Sequence, residues 1–311
     1  MRIISFGAVY LDINAMHFPI PNDVNKLIGT ETVGPSYEIV LGGSAVNFVR
    51  FCKKLGHTGF FIGKVGKDKS GKILTNLFKE ENIIPALSQD ATKQTNLNTN
   101  IVSDNNSSIM LSFGSANQSL AKKDVMDQLE KHINDIDLLY LGGVFKLKNL
   151  LPSLTEIVGF VKSNQKKVVL DHGRIVNTVT DTEKDIVKEM AMLSDYYLPS
   201  KDEFLELWNV ATIDDGLHLF ADKPVTVVVK DGENGAYSMT NNAIVHVPAF
   251  AVDAVNSIGA GDSFNAGFIT AQLEGKSLEE SIRFAHAVAA LKISQDDFPT
   301  RDDIDNLLKK S

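Results

Sequence analysis

Short, continuously apolar runs recur along this chain, with helically spaced segments between them. The runs are Ile3–Phe6, Gly59–Ile62, Leu138–Leu141, Lys167–Leu170, Tyr196–Leu198 and Val225–Val229. A strand with one wet face alternates apolar and polar residues. A run that is apolar throughout reads as a strand buried on both faces. Ser70–Glu80 has the pattern of a helix, and Leu150, Leu154, Ile157, Val158 and Val161 share one helical stripe. Strand and helix in repeated alternation predict an α/β fold, a doubly wound sheet with helices on both faces.

Two regions break this rhythm. Residues from about 11 to 39 and from about 92 to 113 are rich in Asn, Ser and Thr, and they alternate polar with apolar residues, as in Thr95–Ile101. That pattern suits half-exposed antiparallel strands, which can pair into a small sheet beside the main one. The plainer alternative is a pair of long polar loops. A length of 311 residues fits one α/β domain with a modest subdomain.

Charge narrows the partners. Thirty-one basic residues against 39 acidic ones give a net charge of −8. Nucleic-acid affinity comes mostly from neutralising phosphates, so a nucleic-acid partner is not expected, and neither is an anionic membrane surface. One local positive pocket for a small anion remains compatible. Cys52 is the single cysteine, so no intramolecular disulfide is expected, and it reads as a small buried hydrophobe. The apolar run after Met1 is too short for a signal peptide, and no stretch is long enough to span a membrane. A cytoplasmic protein is expected.

Two motifs mislead. Gly66–Lys72 begins like a phosphate-binding loop, but Ile73 stands where the hydroxyl residue belongs. It reads as a polar turn feeding a helix. Gly259-Ala260-Gly261 opens like a dinucleotide fingerprint, but Phe264 replaces the third glycine and the segment lies near the C-terminal end. The seven histidines are scattered and suggest no metal cluster.

The segment Asn256–Ile269 is the most informative. Gly259, Ala260 and Gly261 precede a helical pattern, and a helix N-terminus offers unpaired N–H donors with partial positive charge. Asp262 sits in the first turn beside that anion cradle. A carboxylate there opposes simple anion binding, yet it suits a base that takes a proton from a hydroxyl attacking the anion. The alternative is an ordinary acidic residue at a helix start. A second segment, Leu41–Gly56, pairs Gly42-Gly43 with Asn47, which offers both a donor and an acceptor to a hydroxylated ligand. Asp12, placed just after the first strand, can accept two hydroxyl hydrogen bonds. As a loop aspartate it needs no such role.

These two segments resemble the N- and C-terminal signatures of the PfkB, or ribokinase-like, carbohydrate kinase family, and the resemblance covers essentially the whole chain. It implies a ribokinase-like three-layer α/β/α doubly wound sheet, with residues 1–311 as a single domain. The polar regions 11–39 and 92–113 would form its β-sheet lid. It implies an ATP-dependent, Mg²⁺-requiring kinase that phosphorylates a hydroxyl of a small sugar or sugar acid. Asp262 would be the general base, and Gly259, Ala260 and Gly261 the anion hole. Asp12, Gly42, Gly43 and Asn47 would hold sugar hydroxyls, with Arg174 reaching phosphate or substrate. Ser200, Lys230, Gly232, Gly235 and His286 would border the nucleotide. Glu203 would act on the metal indirectly, in a Pro199–Glu203 segment where Ser200 replaces the family's asparagine. A homodimer through the lid is the implied assembly.

Some positions depart from the family pattern. Val49 replaces a small residue of the first signature. Asn256 and Ile258 replace an aspartate and a threonine, and Ser294–Pro299 lacks the usual glycine loop. Activation by a monovalent cation is therefore in doubt. Leu141-Gly142-Gly143 stands where ribokinases carry a sugar-binding glutamate, which weakens the case for ribose. Asp171-His172-Gly173-Arg174 resembles the Asp-x-Asn-x-Arg of fructokinase-like and ketodeoxygluconate-kinase-like members. A nucleoside kinase of the same family, and a catalytically silent sugar- or nucleotide-binding homologue, are the competing readings.

Overall fold

The computed structural model describes residues 1–21, 23–103, 108–255, 257–295 and 298–310. Its first half runs β1 (Arg2–Gly7), β2 (Tyr10–Met16), β3 (Ser36–Gly42), α1 (Ser44–Lys54), β4 (Thr58–Gly66), α2 (Lys69–Glu80), β5 (Ile84–Asp90), β6 (Leu97–Val102), β7 (Ser108–Phe113), α3 (Lys122–His132) and β8 (Leu138–Gly142). The second half runs α4 (Leu154–Ser163), β9 (Lys167–Asp171), α5 (Asp181–Leu193), β10 (Tyr196–Tyr197), α6 (Lys201–Trp208), α7 (Ile213–His218), β11 (Thr226–Lys230), β12 (Ala236–Thr240), β13 (Ala243–Val247), α8 (Ala260–Leu273), α9 (Leu278–Ser294) and α10 (Arg301–Lys309).

The main sheet has the order β13-β12-β11-β10-β9-β8-β1-β4-β5. Alternate residues of one strand enter opposite cores. Leu139 and Leu141 pack with Val125 of α3, Ile157 of α4 and Val187 of α5. Leu138 and Tyr140 pack with Val46 of α1, Leu74 of α2, Phe268 of α8 and Ile282 of α9. This double burial is why β1, β8, β9 and β11 read as continuous apolar runs, and it makes the domain three layers thick.

The doubly wound sheet expected from the apolar runs is mixed. Pairings from β5 to β11 are parallel, but β12 and β13 join antiparallel. Their two-residue turn, Asn241-Asn242, has φ of +50° and +61°, the geometry that suits the right-handed twist of a hairpin. At the opposite edge β5 pairs only with β4 and carries Pro85, which an edge strand tolerates.

A second sheet has the order β3-β2-β6-β7. It draws its strands from both polar stretches. Strand β2 pairs antiparallel with β3 and parallel with β6, and β6 pairs antiparallel with β7. Asp12 is not the loop residue after β1 that the sequence suggested. It lies inside β2, opposite Val40 and Asn98, because the chain turns at Ala8-Val9 and at once becomes extended again.

The lookalike phosphate loop is the start of α2. Asp68 caps that helix, accepting from the Gly71 N–H at 2.8 Å and from Thr95 N and Oγ1 at 2.8 and 2.7 Å. A carboxylate therefore occupies the spot where a bound phosphate would need donors.

Candidate active site

Helix α8 begins at Gly259, whose φ of +77° is open to glycine but strained for other residues. No side chain caps this helix, whereas Asp68, Thr180, Thr212, Ser277 and Thr300 cap α2, α5, α7, α9 and α10. Helix α1 likewise starts at a glycine, Gly43, without a side-chain cap. Leading N–H groups on both helices are thus left for a ligand, except that of Ala260, which the sequence placed in the anion hole but which donates to Ser257 O at 3.2 Å.

The two helix starts meet at Asp262. Ser44 Oγ donates to its Oδ1 at 2.5 Å, and Asn47 Nδ2 donates to its Oδ2 at 2.9 Å. Burial pushes this carboxyl up to about 6, against the pull of the Ser44 and Asn47 hydrogen bonds. Asp171 adds to the rise and Lys230 opposes it.

Asp12 has a similar balance. Its carboxylate rests on Gly42, where an added Cβ would stand 2.1 Å from Oδ2, so only glycine allows this approach. Asn98 Nδ2 donates to Asp12 at 2.9 Å, and Ser112 Oγ donates to Asn98 at 2.7 Å. Burial raises the Asp12 carboxyl to about 6, while Asn98 and the Arg50 charge lower it.

A second polar cluster lies at the carboxyl ends of β9 and β11. Lys230 Nζ donates to Asp171 Oδ2 at 2.8 Å and to Asn265 Oδ1 at 3.0 Å. Asn265 Nδ2 donates to Asp171 Oδ2 at 2.6 Å and to the Tyr140 hydroxyl at 3.0 Å. Burial alone would raise the Asp171 carboxyl. Lys230 and Asn265 outweigh it and hold the group below its ordinary range. An added Cβ on Gly261 would lie 3.5 Å from Lys230 Nζ, so the ammonium stands next to the start of α8.

Two clefts meet along this seam. One, of about 630 Å³, is lined by Asp262, Asp171, Arg174, Ser200 and Glu203, and by Tyr10, Asn98, Met110 and Ser112 of the second sheet. The other, of about 690 Å³, is lined by Gly235, Phe250, Phe264 and His286. Lys230, Gly232, Ser257, Ala260 and Gly261 border both. His286 meets the Phe264 ring edge-on at 5.0 Å, its Nε2 has no protein partner, and burial lowers it to about 4. It stands neutral at the wall of the second cleft, its unpartnered nitrogen buried.

Asp12 and Asn47 line a separate recess of about 250 Å³ with Arg50 and Glu81. Gly42 and Gly43 border none of the three recesses. Asn256, Asp296 and Asp297 lie outside the described residues, so the departures noted there have no structural account.

Sequence reasoning passed over Ser44, Tyr140, Asn265 and Lys146. Signals existed for two of them. Ser44 directly follows the Gly-Gly pair, and Asn265 stands three residues after Asp262, on the same helix face.

The chain matches the profile of the pfkB family carbohydrate kinases over residues 15–298. It is 31% identical over 289 residues to a ribokinase of Haemophilus influenzae, covering 88% of this chain and 89% of that one. It is 28% identical over 331 residues to a 5-dehydro-2-deoxygluconokinase of Clostridium beijerinckii, covering 100% and 93%. A ribokinase-II-type protein from E. coli, solved with ATP and Mg²⁺, superposes with a TM-score of 0.81 at 19% identity, covering 100% and 99%.

Proposed function

The chain belongs to the pfkB family of carbohydrate kinases, phosphotransferases with an alcohol group of a sugar or sugar acid as acceptor, and from that premise we propose its chemistry in more detail. ATP is the donor, a small sugar acid the acceptor, and Asp262 the general base. Residues 1–311 act as one kinase domain, with the sheet β3-β2-β6-β7 as its lid.

One observation carries this reading: a half-buried carboxylate, Asp262, lines the 630 Å³ cleft in the first turn of an uncapped helix, directly after Ala260 and Gly261, which border both clefts. The acceptor hydroxyl gives its proton to Asp262. Its oxygen forms a bond to the γ-phosphorus as the bond to the ADP oxygen breaks, and ADP leaves. The N–H groups at Gly259 and Gly261, with Lys230, meet the charge that develops on the transferring group, while the Ala260 N–H already donates to Ser257 O at 3.2 Å. Asp12 and Asn47 hold the acceptor's hydroxyls, while Gly42 and Gly43, which border none of the recesses, let the Asp12 carboxylate and the Ala8 backbone approach closely. Gly232, Gly235 and His286 border the nucleotide.

Among the described residues no three His, Cys, Asp or Glu side chains form a metal cluster. Glu203 offers one carboxylate in the 630 Å³ cleft, which fits Mg²⁺, an ion that keeps several waters and takes one or two carboxylates plus substrate phosphates. Glu203, with Ser200 beside it, would hold it, and the ion would neutralise charge on the phosphates. Glu203 Oε2 already accepts from Ser200 N at 3.1 Å, which orients its carboxylate.

Lys146 and Arg174 favour an acidic acceptor. Both line the 630 Å³ cleft. Burial and the Arg174 charge lower the Lys146 ammonium, and among the described residues neither side chain has a carboxylate partner. Two unpaired cations suit a ligand carboxylate. The name of the Clostridium relative is that of a sugar-acid kinase. The second reading, a neutral sugar, rests on the ribokinase relatives. A panel of ribose, fructose, 5-dehydro-2-deoxygluconate, 2-keto-3-deoxygluconate and nucleosides, assayed for ADP release, separates them. An acid should turn over best, and Arg174→Ala should raise its KM.

We further propose a homodimer through the outer face of the lid. Tyr37, Ile39, Leu111 and Phe113 are exposed on the face opposite Asp12 and Asn98, and such a patch marks an interface. No helix among the described residues is long and apolar enough to cross a membrane. The cytoplasm, where ATP is made available, is the proposed location.

A further inference from the structure

Asn265 is fully buried on α8, one helical turn after Asp262. Its amide reaches three strands of the main sheet. Nδ2 donates to the Tyr140 hydroxyl of β8 at 3.0 Å and to Asp171 Oδ2 of β9 at 2.6 Å. Oδ1 accepts from Lys230 Nζ of β11 at 3.0 Å. Both amide hydrogens are thereby used. The orientation has one chemical solution. Turned over, the amide would set an oxygen against the Asp171 carboxylate and hydrogens against an ammonium.

Packing does not call for an amide at this position. Phe264, Phe268 and Ile269 of the same helix all enter the apolar core beneath it, where a leucine would fit. A buried amide is costly unless its polar atoms are bonded, so its partners account for it. Among them Lys230 gains most. Its backbone N–H is fixed on Pro199 O at 3.0 Å, but the long side chain needs anchors of its own. An ammonium has three hydrogens. Asp171 Oδ2 at 2.8 Å and Asn265 Oδ1 at 3.0 Å take two, and among the described residues the third has no acceptor. Nζ stands 3.5 Å from where a Cβ on Gly261 would be, on the border shared by the two clefts.

We infer that Asn265 is a positioning residue for the phosphate donor: it clamps the Lys230 ammonium from the side opposite Asp171 and leaves its third hydrogen for a phosphate beside Gly261. A second carboxylate in its place would hold the ammonium too, but it would turn the cluster negative where phosphates bind. The amide anchors the cation without adding charge. The inference rests on the reading of Gly259–Gly261 as the place of the transferring phosphoryl group.

The experiment is calorimetric titration of ATP with Mg²⁺, without acceptor, into four proteins. These are the parent, Asn265→Leu, the pair Lys230→Met with Asp171→Asn, and that pair with Asn265→Leu added. In the parent, Asn265→Leu should raise the dissociation constant about tenfold, the scale of one hydrogen bond to a charged group. In the background without the ammonium it should change the constant by less than about twofold, because the residue acts through Lys230. An equal loss in both backgrounds is the mark of a purely structural role and would overturn the inference. So would an unchanged constant in Asn265→Leu alone. Asn265→Ser removes the amide without adding bulk, and it carries the same comparison, with the same outcomes deciding, where the leucine variant does not fold. A parent that binds no ATP would overturn the donor reading and the inference with it, whereas full ATP binding by Asn265→Leu removes the inference alone.

Discussion

Asn47 Nδ2 lies 2.9 Å from Asp262 Oδ2, although 215 residues separate them along the chain. The contact joins the starts of α1 and α8 and aims an amide at the carboxylate from the side that Ser44 leaves open. Asn47→Ala should therefore reduce kcat/KM for the acceptor by about tenfold to a hundredfold, with little change in the KM for ATP. Steady-state kinetics with each substrate varied in turn measures the split. An equal rise in both KM values would mean that Asn47 serves only the fold.

The rate should depend on pH through the base. Burial raises the Asp262 carboxyl to about 6, and only the ionised form accepts a proton. Below about pH 6 kcat/KM should fall tenfold per unit, and above it should level off. A plateau that continues unbroken down to pH 4.5 would remove Asp262 from the proton transfer.

Stability should run the other way. An unfolded aspartate ionises near about 3.9, but folded Asp262 keeps its proton up to about 6. Between those values the folded state binds more protons, so this group's contribution strengthens as pH falls and weakens as pH rises. Asp262→Asn should stabilise the protein at pH 8, by on the order of 2 kcal/mol, with the gain shrinking toward pH 4. Urea unfolding at the two pH values measures it. A variant less stable at pH 8 would refute this balance.

Lys230 and Asp171 form a buried pair, with side chains 12% and 7% exposed. Lys230→Met strands a buried carboxylate and should destabilise the fold by about 3 kcal/mol. Adding Asp171→Asn should recover most of that loss while leaving turnover depressed, because the cation beside Gly261 is still absent. Recovery of turnover in the double variant would mean that Lys230 serves structure alone.

The sequence disclosed what is local. The double burial of β1, β8 and β9 is written in their continuous apolar runs, and the alternation of Thr95–Ile101 is that of a one-sided sheet. The cradle of Gly259–Gly261 and the place of Asp262 in a first turn follow from residue type and spacing within a few positions. What stayed hidden depends on distant neighbours. Strand β5 is half-exposed and interrupted by Pro85, so neither period marks it. The hairpin β12–β13 had a readable sign in Asn241-Asn242, one weaker than an Asn-Gly pair. Asp12 reads as a loop residue until β6 supplies Asn98 to cover it. Tyr140 and Asn265 are 125 residues apart. Only the packing of α8 on β8 tells which polar atoms face each other.

For the proposed dimer, Phe113→Asp should give a monomer in sedimentation experiments without reducing the affinity for ATP, since Phe113 is exposed on the face of the second sheet away from Asp12. A wild-type protein that is monomeric at high micromolar concentration would remove the dimer.

The most direct measurement for the account as a whole is turnover by Asp262→Asn, followed as ADP release with the acceptor that the panel identifies, beside ATP affinity by calorimetry. The substitution preserves size and removes the basic lone pair. The account predicts a fall in kcat of about two or more orders of magnitude with ATP affinity kept. Unchanged turnover would contradict it.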